Sequence, residues 1–117
     1  MMTIEYLMLG HVVKDLADNG HRFGGTVSFA GVTALRLGAR LGIVTAVSVE
    51  DRPAVQAIFP GADMHWVESP VTTVYENIYE LKGRTQYCRE LGAPISVDEI
   101  PSEWLNSPIV HLGPLTG

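Results

Sequence analysis

The chain has 117 residues, 46% of them hydrophobic, and a formal net charge of −5 at pH 7. This size and composition favour one small domain with a packed core over a disordered chain. The eight Lys and Arg residues are scattered, which excludes a basic surface for nucleic acid, and no apolar run approaches the roughly 18 residues that span a membrane. The single cysteine, Cys88, excludes an intrachain disulfide, and four dispersed histidines predict no metal site. Because the N-terminus lacks the features of a signal peptide, we expect a cytoplasmic protein.

Strand and helix patterns alternate along the first half of the chain. Residues 3–9 form a mostly apolar run that predicts a buried parallel strand. Residues 11–20 carry turn-forming and charged side chains and predict a loop, after which Arg22-Phe23 predicts a brief lid strand. Apolar residues at helical spacing predict a helix over 27–37, and the β-branched run 43–49 predicts a central strand.

A β-hairpin is predicted in the second half, where two runs of alternating residues, 72–81 and 84–90, flank a turn. Both faces of its first arm carry polar side chains, which suits a flap over a ligand or a partner better than a core strand. Across the hairpin, the side chains expected to form ion pairs are Arg84 and Arg89 with Glu76 and Glu80.

The remaining elements predict an α/β sandwich with a mainly parallel sheet, into which the hairpin is inserted as a small β lid. These elements are a helix over 52–59, a strand over 64–68, a short helix over 98–105 and a buried strand over 108–112. A parallel sheet needs helices on both faces, and residues 115–117 follow the last predicted strand directly. We therefore expect the front part of a larger domain, which aggregates or is molten when isolated.

Two adjacent glycines, Gly24 and Gly25, open the predicted helix, which ends at Arg36-Leu37-Gly38. Glycine can take positive φ angles and lets the backbone approach a ligand without a Cβ in the way. The free N–H groups at the start of the helix then face the same place. This combination predicts a small-molecule site.

The segment from Gly24 to Gly38 resembles, without a gap, the Gly-Gly signature of the ribokinase-like (PfkB) carbohydrate kinases. The other features that follow the family's order are an opening strand ending in Leu9-Gly10-His11, Asp15 shortly after it, a second core strand at 42–47 and a lid strand at 72–79. The resemblance implies that residues 1–117 form the N-terminal part of a single ribokinase-like three-layer sandwich. Its lid elements are expected at about 19–25 and 72–90.

The substrate-binding residues implied by this resemblance are Asp15, Gly24, Gly25, Ser28, Phe29, Tyr75 and Asn77. The resemblance implies that Asp15 accepts hydrogen bonds from two sugar hydroxyls. It also implies that Tyr75 and Asn77 close over the far side of the substrate. Phe29 stands where the best-known ribokinase-like sequences have an asparagine, so we expect it to stack on a less polar sugar face or a base, with Ser28 partly replacing the amide. This departure argues against plain ribose as the substrate, as does His111-Leu112-Gly113-Pro114, where ribokinase itself places a glutamate.

By resemblance, the whole enzyme transfers the γ-phosphate of ATP, with Mg²⁺, to a hydroxyl of a sugar, nucleoside or related polyol. The family's late Asp-Thr-x-Gly-Ala-Gly-Asp motif, which forms the anion hole and carries the catalytic base, is absent from this sequence. We therefore expect the catalytic base beyond Gly117 and an isolated chain that is inactive. The alternative is a non-catalytic small-molecule-binding or dimerisation module, whose lid strands pair with those of a second copy in a homodimer.

Overall fold

The structure, a computed structural model, describes residues 3–17 and 20–113, so the expectation about residues 115–117 lies outside the described residues. The strands are β1 (Tyr6–Gly10), β2 (Val13–Ala17), β3 (Gly20–Gly24), β4 (Leu41–Ala46), β5 (Asp63–Val67), β6 (Thr73–Glu80), β7 (Gly83–Glu90) and β8 (Ile109–Gly113). The helices are α1 (Thr26–Arg36) and α2 (Arg52–Ile58), with 3₁₀ helices at Val49–Asp51, Val97–Glu99 and Ser102–Asn106.

The core sheet has four parallel strands in the order β5-β4-β1-β8. The apolar run of β4 is buried at every position, as expected for a central strand that is covered on both faces. The predicted α/β fold with a mainly parallel sheet is therefore confirmed. The first and second core strands begin and end within a few residues of their predicted bounds.

Helices α1 and α2 pack on the same face of this sheet. Met8 and Ile43 from the sheet, Val27 from α1 and Phe59 after α2 form one buried cluster. Gly31 lets α1 approach closely, because a Cβ at this position would lie 2.8 Å from Cε1 of Phe59. The small residues of the helix thus serve the packing that the sequence predicts.

The other face of the sheet is covered by irregular chain, which corrects the prediction of a helix over 98–105. Ile95, Ile100 and Trp104 pack against a second buried cluster that includes Leu7 and Val44. The segment forms two short 3₁₀ helices because Pro101, with φ −54° and ψ 134°, lies in extended backbone between them. The turns that the sequence suggests are present, but they do not join into one α-helix.

Strand β8 is not the buried strand that residues 108–112 predict. It lies at the edge of the sheet, where Ile109, Val110 and Leu112 are exposed. Among the described strands β8 pairs with β1 alone, and its apolar side chains belong to neither of the two buried clusters that cover the faces of the sheet. The hydrophobic pattern therefore predicted the strand correctly, but the prediction that this strand is buried was wrong.

A second sheet, in the order β3-β2-β6-β7, forms the lid. Strand β2 lies within residues 11–20, for which the sequence predicts a loop, and it pairs in parallel with β6. Its five residues become a strand because β3 and β6 supply hydrogen-bonding partners on both sides. The hairpin of β6 and β7 is confirmed, and its returning arm is exposed at all eight positions.

The described residues lack two features on which whole classes of function depend. Within 3–17 and 20–113, no helix is long and apolar enough to cross a membrane. The same part of the chain contains no group of three or more His, Cys, Asp and Glu side chains that could hold a metal ion.

Candidate functional site

The paired glycines form a joint between the lid and the core. Gly24 is the last residue of β3, and Gly25 is the N-cap of α1 with φ 95°, a conformation that favours glycine. Ser28 closes the joint, because its Oγ donates a hydrogen bond of 2.8 Å to the carbonyl of Gly24. Ser28 is therefore buried and stabilises the joint. Because its hydroxyl hydrogen is used in this bond, its Oγ can only accept a hydrogen bond from a ligand.

Asp15 lies directly against this joint. A Cβ at Gly24 would stand 2.6 Å from Oδ2 of Asp15, so only glycine leaves space for the carboxylate there. The sequence predicts Asp15 in a loop after the first strand, whereas the structure places it in the middle of lid strand β2. The carboxylate, the joint and the start of α1 are thus brought together.

One face of the lid carries most of the other predicted residues. Asp15 pairs with Tyr75 of β6, and Tyr75 pairs with Cys88 of β7. Because side chains alternate along a strand, Asn77 shares this side of the sheet, which we call the Asp15 face. Nε2 of Gln86, opposite on β7, donates a hydrogen bond of 3.0 Å to Oδ1 of Asn77. The Asp15 face is therefore polar.

Burial perturbs two groups of the Asp15 face. It raises the pKa of Asp15 above its ordinary value of 3.8, and the positive charge of Arg84 offsets part of this increase. Burial also raises the pKa of Tyr75, with smaller contributions from the negative charges of Cys88 and Asp15. The face therefore presents a partly desolvated carboxyl group beside a phenol that stays neutral at pH 7.

The opposite face of the lid is tied to the core. Nζ of Lys14 lies 3.1 Å from Oδ2 of Asp51, which also accepts hydrogen bonds from Thr72 (2.5 Å) and Ser48 (3.1 Å). Burial tends to raise the pKa of Asp51, but the hydrogen bonds from Thr72, Lys14 and Ser48 outweigh it and leave the pKa lowered. This cluster fixes the base of the lid.

The expected ion pairs across the hairpin are half correct. Arg89 pairs with Glu76, with Nε 2.8 Å from Oε1, as the sequence predicts. Arg84 does not pair with Glu76 or Glu80, because its register opposite Tyr79 places it on the Asp15 face. Arg84, Gln86 and Cys88 are residues of the Asp15 face that sequence reasoning missed. Counting alternate positions back from the Lys82-Gly83 turn could have found them.

Phe29 lies on the second turn of α1 and is 76% exposed. Its ring is exposed, and the ligand contact that the sequence predicts for it stays a prediction. Among the described residues, the Phe29 ring stacks on no other aromatic side chain.

Replacing Gly24 by alanine tests the close approach at the joint. The new Cβ would displace the carboxylate of Asp15, and we expect ligand affinity to fall about 10- to 100-fold because a misplaced group loses its interaction. The melting temperature should change little, since φ of Gly24 is not positive. Gly25→Ala is the matched control for strain, and it should destabilise the fold by about 1–2 kcal/mol. Equal affinity of Gly24→Ala and the wild type, measured by calorimetry, would contradict this placement.

An apolar cavity of about 450 Å³ lies beyond the carboxyl ends of β1 and β8. The residues that line it are Leu9, Gly10, His11, Leu91, Gly92, Pro94, Ile95, Val97, Leu112 and Gly113. Nε2 of His11 is 2.8 Å from the carbonyl oxygen of Ala93, which ties the end of β1 to the segment that returns from the lid. Ligands of open α/β sheets bind at this end of the strands.

These features define a class: an α/β domain with a parallel core sheet, whose β lid and glycine joint form a candidate small-molecule site. No family model and no curated protein matches the chain. Solved structures do match. One is a pyrophosphate-dependent kinase in the ribokinase family, complexed with a pyrophosphate analog and myo-inositol, at 26% identity and a TM-score of 0.74. The match covers 94% of this chain and 40% of that chain.

Two further structures agree with this likeness. A sulfate complex of a pyrophosphate-dependent kinase in the ribokinase family is 25% identical, with a TM-score of 0.72 over 94% of this chain and 41% of that chain. The Methanocaldococcus jannaschii nucleoside kinase, an archaeal member of the ribokinase family, is 13% identical with a TM-score of 0.57, and shows the fold alone. It is matched over 94% of this chain and 44% of its own length. The chain therefore has a ribokinase-like, kinase-type fold, and it spans about two fifths of the length of the structures it matches.

Proposed function

We propose that this chain supplies the acceptor-binding and lid part of a kinase that phosphorylates a hydroxyl of a sugar, nucleoside or related polyol. The observation that carries the proposal is the packing of Asp15 against Gly24 at the start of α1. A carboxylate in this position accepts hydrogen bonds from two neighbouring hydroxyls, and these charge-assisted bonds are stronger than neutral ones. The N–H groups at the start of α1 supply donors for a further hydroxyl oxygen.

The polar Asp15 face supports a polyol as the acceptor. Tyr75 and Asn77 supply a hydroxyl and an amide that can bond to a ring of hydroxyls on the side facing the lid. A cyclic polyol is the first candidate, because the matched kinase at 26% identity is complexed with myo-inositol. A closed lid would exclude water from the acceptor hydroxyl, which prevents loss of the phosphoryl group to hydrolysis.

The proposed donor is a phosphoanhydride with Mg²⁺. The sequence resemblance implies ATP, whereas the two matched kinases at 25% and 26% identity depend on pyrophosphate. Mg²⁺ would neutralise charge that develops on the transferred phosphoryl group. The Gly-Ala-Gly-Asp sequence is absent from the printed chain, so we propose that the 117 residues alone transfer no phosphate from either donor.

Protection of Cys88 tests acceptor binding without catalysis. Cys88 is the single cysteine of the chain, is exposed, and lies opposite Tyr75 on the Asp15 face. We expect myo-inositol to slow its alkylation by iodoacetamide about tenfold at ten times Kd, because roughly one site in ten is then free. Intact mass measured over time gives the rate, and ribose provides a comparison acceptor.

Free glutathione alkylated in the same solutions controls for any chemical effect of the polyol. A cooperative thermal melt shows in parallel that the chain is folded. An unchanged alkylation rate in the folded chain with every polyol tested, at about 10 mM and thus above the usual range of KM values, would contradict the proposed function.

A further inference from the structure

The charges on the two faces of the lid are arranged differently. On the side away from Asp15, Lys14 pairs with Asp51 and Arg89 pairs with Glu76. On the Asp15 face, Arg84 forms no hydrogen bond or ion pair with any residue of 3–17 and 20–113. An exposed guanidinium that makes no hydrogen bond within the described part of the chain, on the face that holds the proposed acceptor, is available to a ligand.

The register places Arg84 within reach of this ligand. It lies four residues before Cys88 on β7, so both side chains share the Asp15 face with Tyr75 and Asp15 itself. The charge of Arg84 acts on the Asp15 carboxylate, although the two groups form no ion pair. The face therefore presents a cation and an anion that are separate, each with its bonding positions free.

A carboxylate and a guanidinium on one face determine which chemical groups a ligand must carry to bind both. Asp15 repels an anion and accepts from hydroxyls, whereas a guanidinium presents a planar fork of donors that matches the oxygens of a phosphate. A ligand that satisfies both groups has hydroxyls at one end and an oxyanion at the other. Arg22, opposite Asp15 on β3, adds a second positive charge to the same face.

Resting on the proposed function, we propose that Arg84 binds a phosphoryl group at the Asp15 face of the lid, beside the hydroxyls held by Asp15. This phosphoryl group has two sources, a polyol phosphate or the phosphoanhydride donor. In both cases Arg84 discriminates phosphorylated from neutral ligands.

The test compares the affinities of three ligands by calorimetry: myo-inositol, a myo-inositol monophosphate and pyrophosphate. We expect one of the phosphorylated ligands to bind the wild type about tenfold more tightly than it binds Arg84→Ala, because the variant lacks the charge-assisted bond to Arg84. Preference for the monophosphate identifies a polyol phosphate as the source, and preference for pyrophosphate identifies the donor. The wild-type preference should weaken as salt concentration rises.

Arg89→Ala is the matched control, because it removes an arginine from the other face of the same strand. It should leave all three affinities unchanged, and Arg84→Lys should restore only part of the preference, since an ammonium lacks the planar fork.

The outcomes separate this inference from the proposed function. If myo-inositol binds but Arg84→Ala leaves every phosphorylated ligand unaffected, the role of Arg84 is overturned and the proposed function stands. If a phosphorylated ligand binds through Arg84 while neutral polyols do not bind, the inference stands and the polyol acceptor site fails. Absence of binding by all three ligands to the folded chain overturns both.

Discussion

Asp15→Asn is expected to lower polyol affinity about 100-fold or more while it raises the melting temperature at pH 7. The affinity falls because an amide replaces the charged acceptor of two hydroxyl hydrogen bonds, each worth about 1.5–3 kcal/mol. The stability rises because burial penalises the ionised carboxylate, as the raised pKa of Asp15 shows. A binding residue that costs stability is typical of a functional site.

The stability difference between the wild type and Asp15→Asn should depend on pH in a defined direction. Folded Asp15 has a pKa above its ordinary value of 3.8, so the folded state binds a proton more readily than the unfolded state. The wild type therefore loses stability relative to Asp15→Asn as pH rises from about 4 through the raised pKa. Thermal melts of both proteins between pH 3.5 and 7 measure the difference, which should shrink towards acid.

Asp98→Asn is the matched control, because Asp98 is an exposed carboxylate in the 3₁₀ helix Val97–Glu99. It should change neither the affinity nor the melting temperature appreciably. An Asp15→Asn variant that binds myo-inositol as well as the wild type would remove Asp15 from the site. A variant less stable than the wild type at pH 7 would contradict the desolvation of its carboxylate.

Phe59→Ala is expected to destabilise the fold by about 3–5 kcal/mol, which is a large part of the stability of a small domain. Phe59 is 0% exposed and fills the space left by Gly31 between α1 and the sheet, so truncation leaves a cavity that the close-packed helix cannot collapse into. Urea denaturation followed by circular dichroism measures the loss. The variant should unfold at a clearly lower urea concentration than the wild type.

Phe29→Ala is the control, since this side chain is 76% exposed on α1 and its loss should change the free energy of unfolding by no more than about 0.5 kcal/mol. The same variant reports on the site, where loss of an aromatic contact should lower polyol affinity. Equal destabilisation by the two substitutions would show that α1 does not pack as the structure has it.

Local patterns predicted the elements that depend on neighbouring residues alone. Helix α1 was found from its apolar spacing and the glycines before it, and the hairpin from the Lys82-Gly83 turn between two alternating runs. The core strand β4 was found from its β-branched residues. In each of these three elements, the secondary structure that the local sequence favours is the one that the fold requires. The local sequence was therefore sufficient to predict them.

Pairing between distant segments was not predictable in this way. Strand β2 contains Lys14 and Asp15 among apolar residues, and it becomes a strand because β6, some 60 positions further along, pairs with it in parallel. Within the hairpin the register runs unbroken from Glu80↔Gly83 to Tyr75↔Cys88, and it shifts only between Val74 and Tyr75. The expected pairing of Arg84 with Glu76 or Glu80 rested on opposite charge alone, whereas alternation from the turn places Arg84 opposite Tyr79 on the other face.

The sequence by itself determined the α/β class and the glycine joint, because local geometry and residue type suffice for these. Only the tertiary structure decided that Asp15 is a lid residue packed on Gly24 and that Arg84 shares its face. It also decided that β8 is an exposed edge. These facts depend on strand order and register, which arise from contacts between segments far apart in the chain and leave no pattern within any one of them.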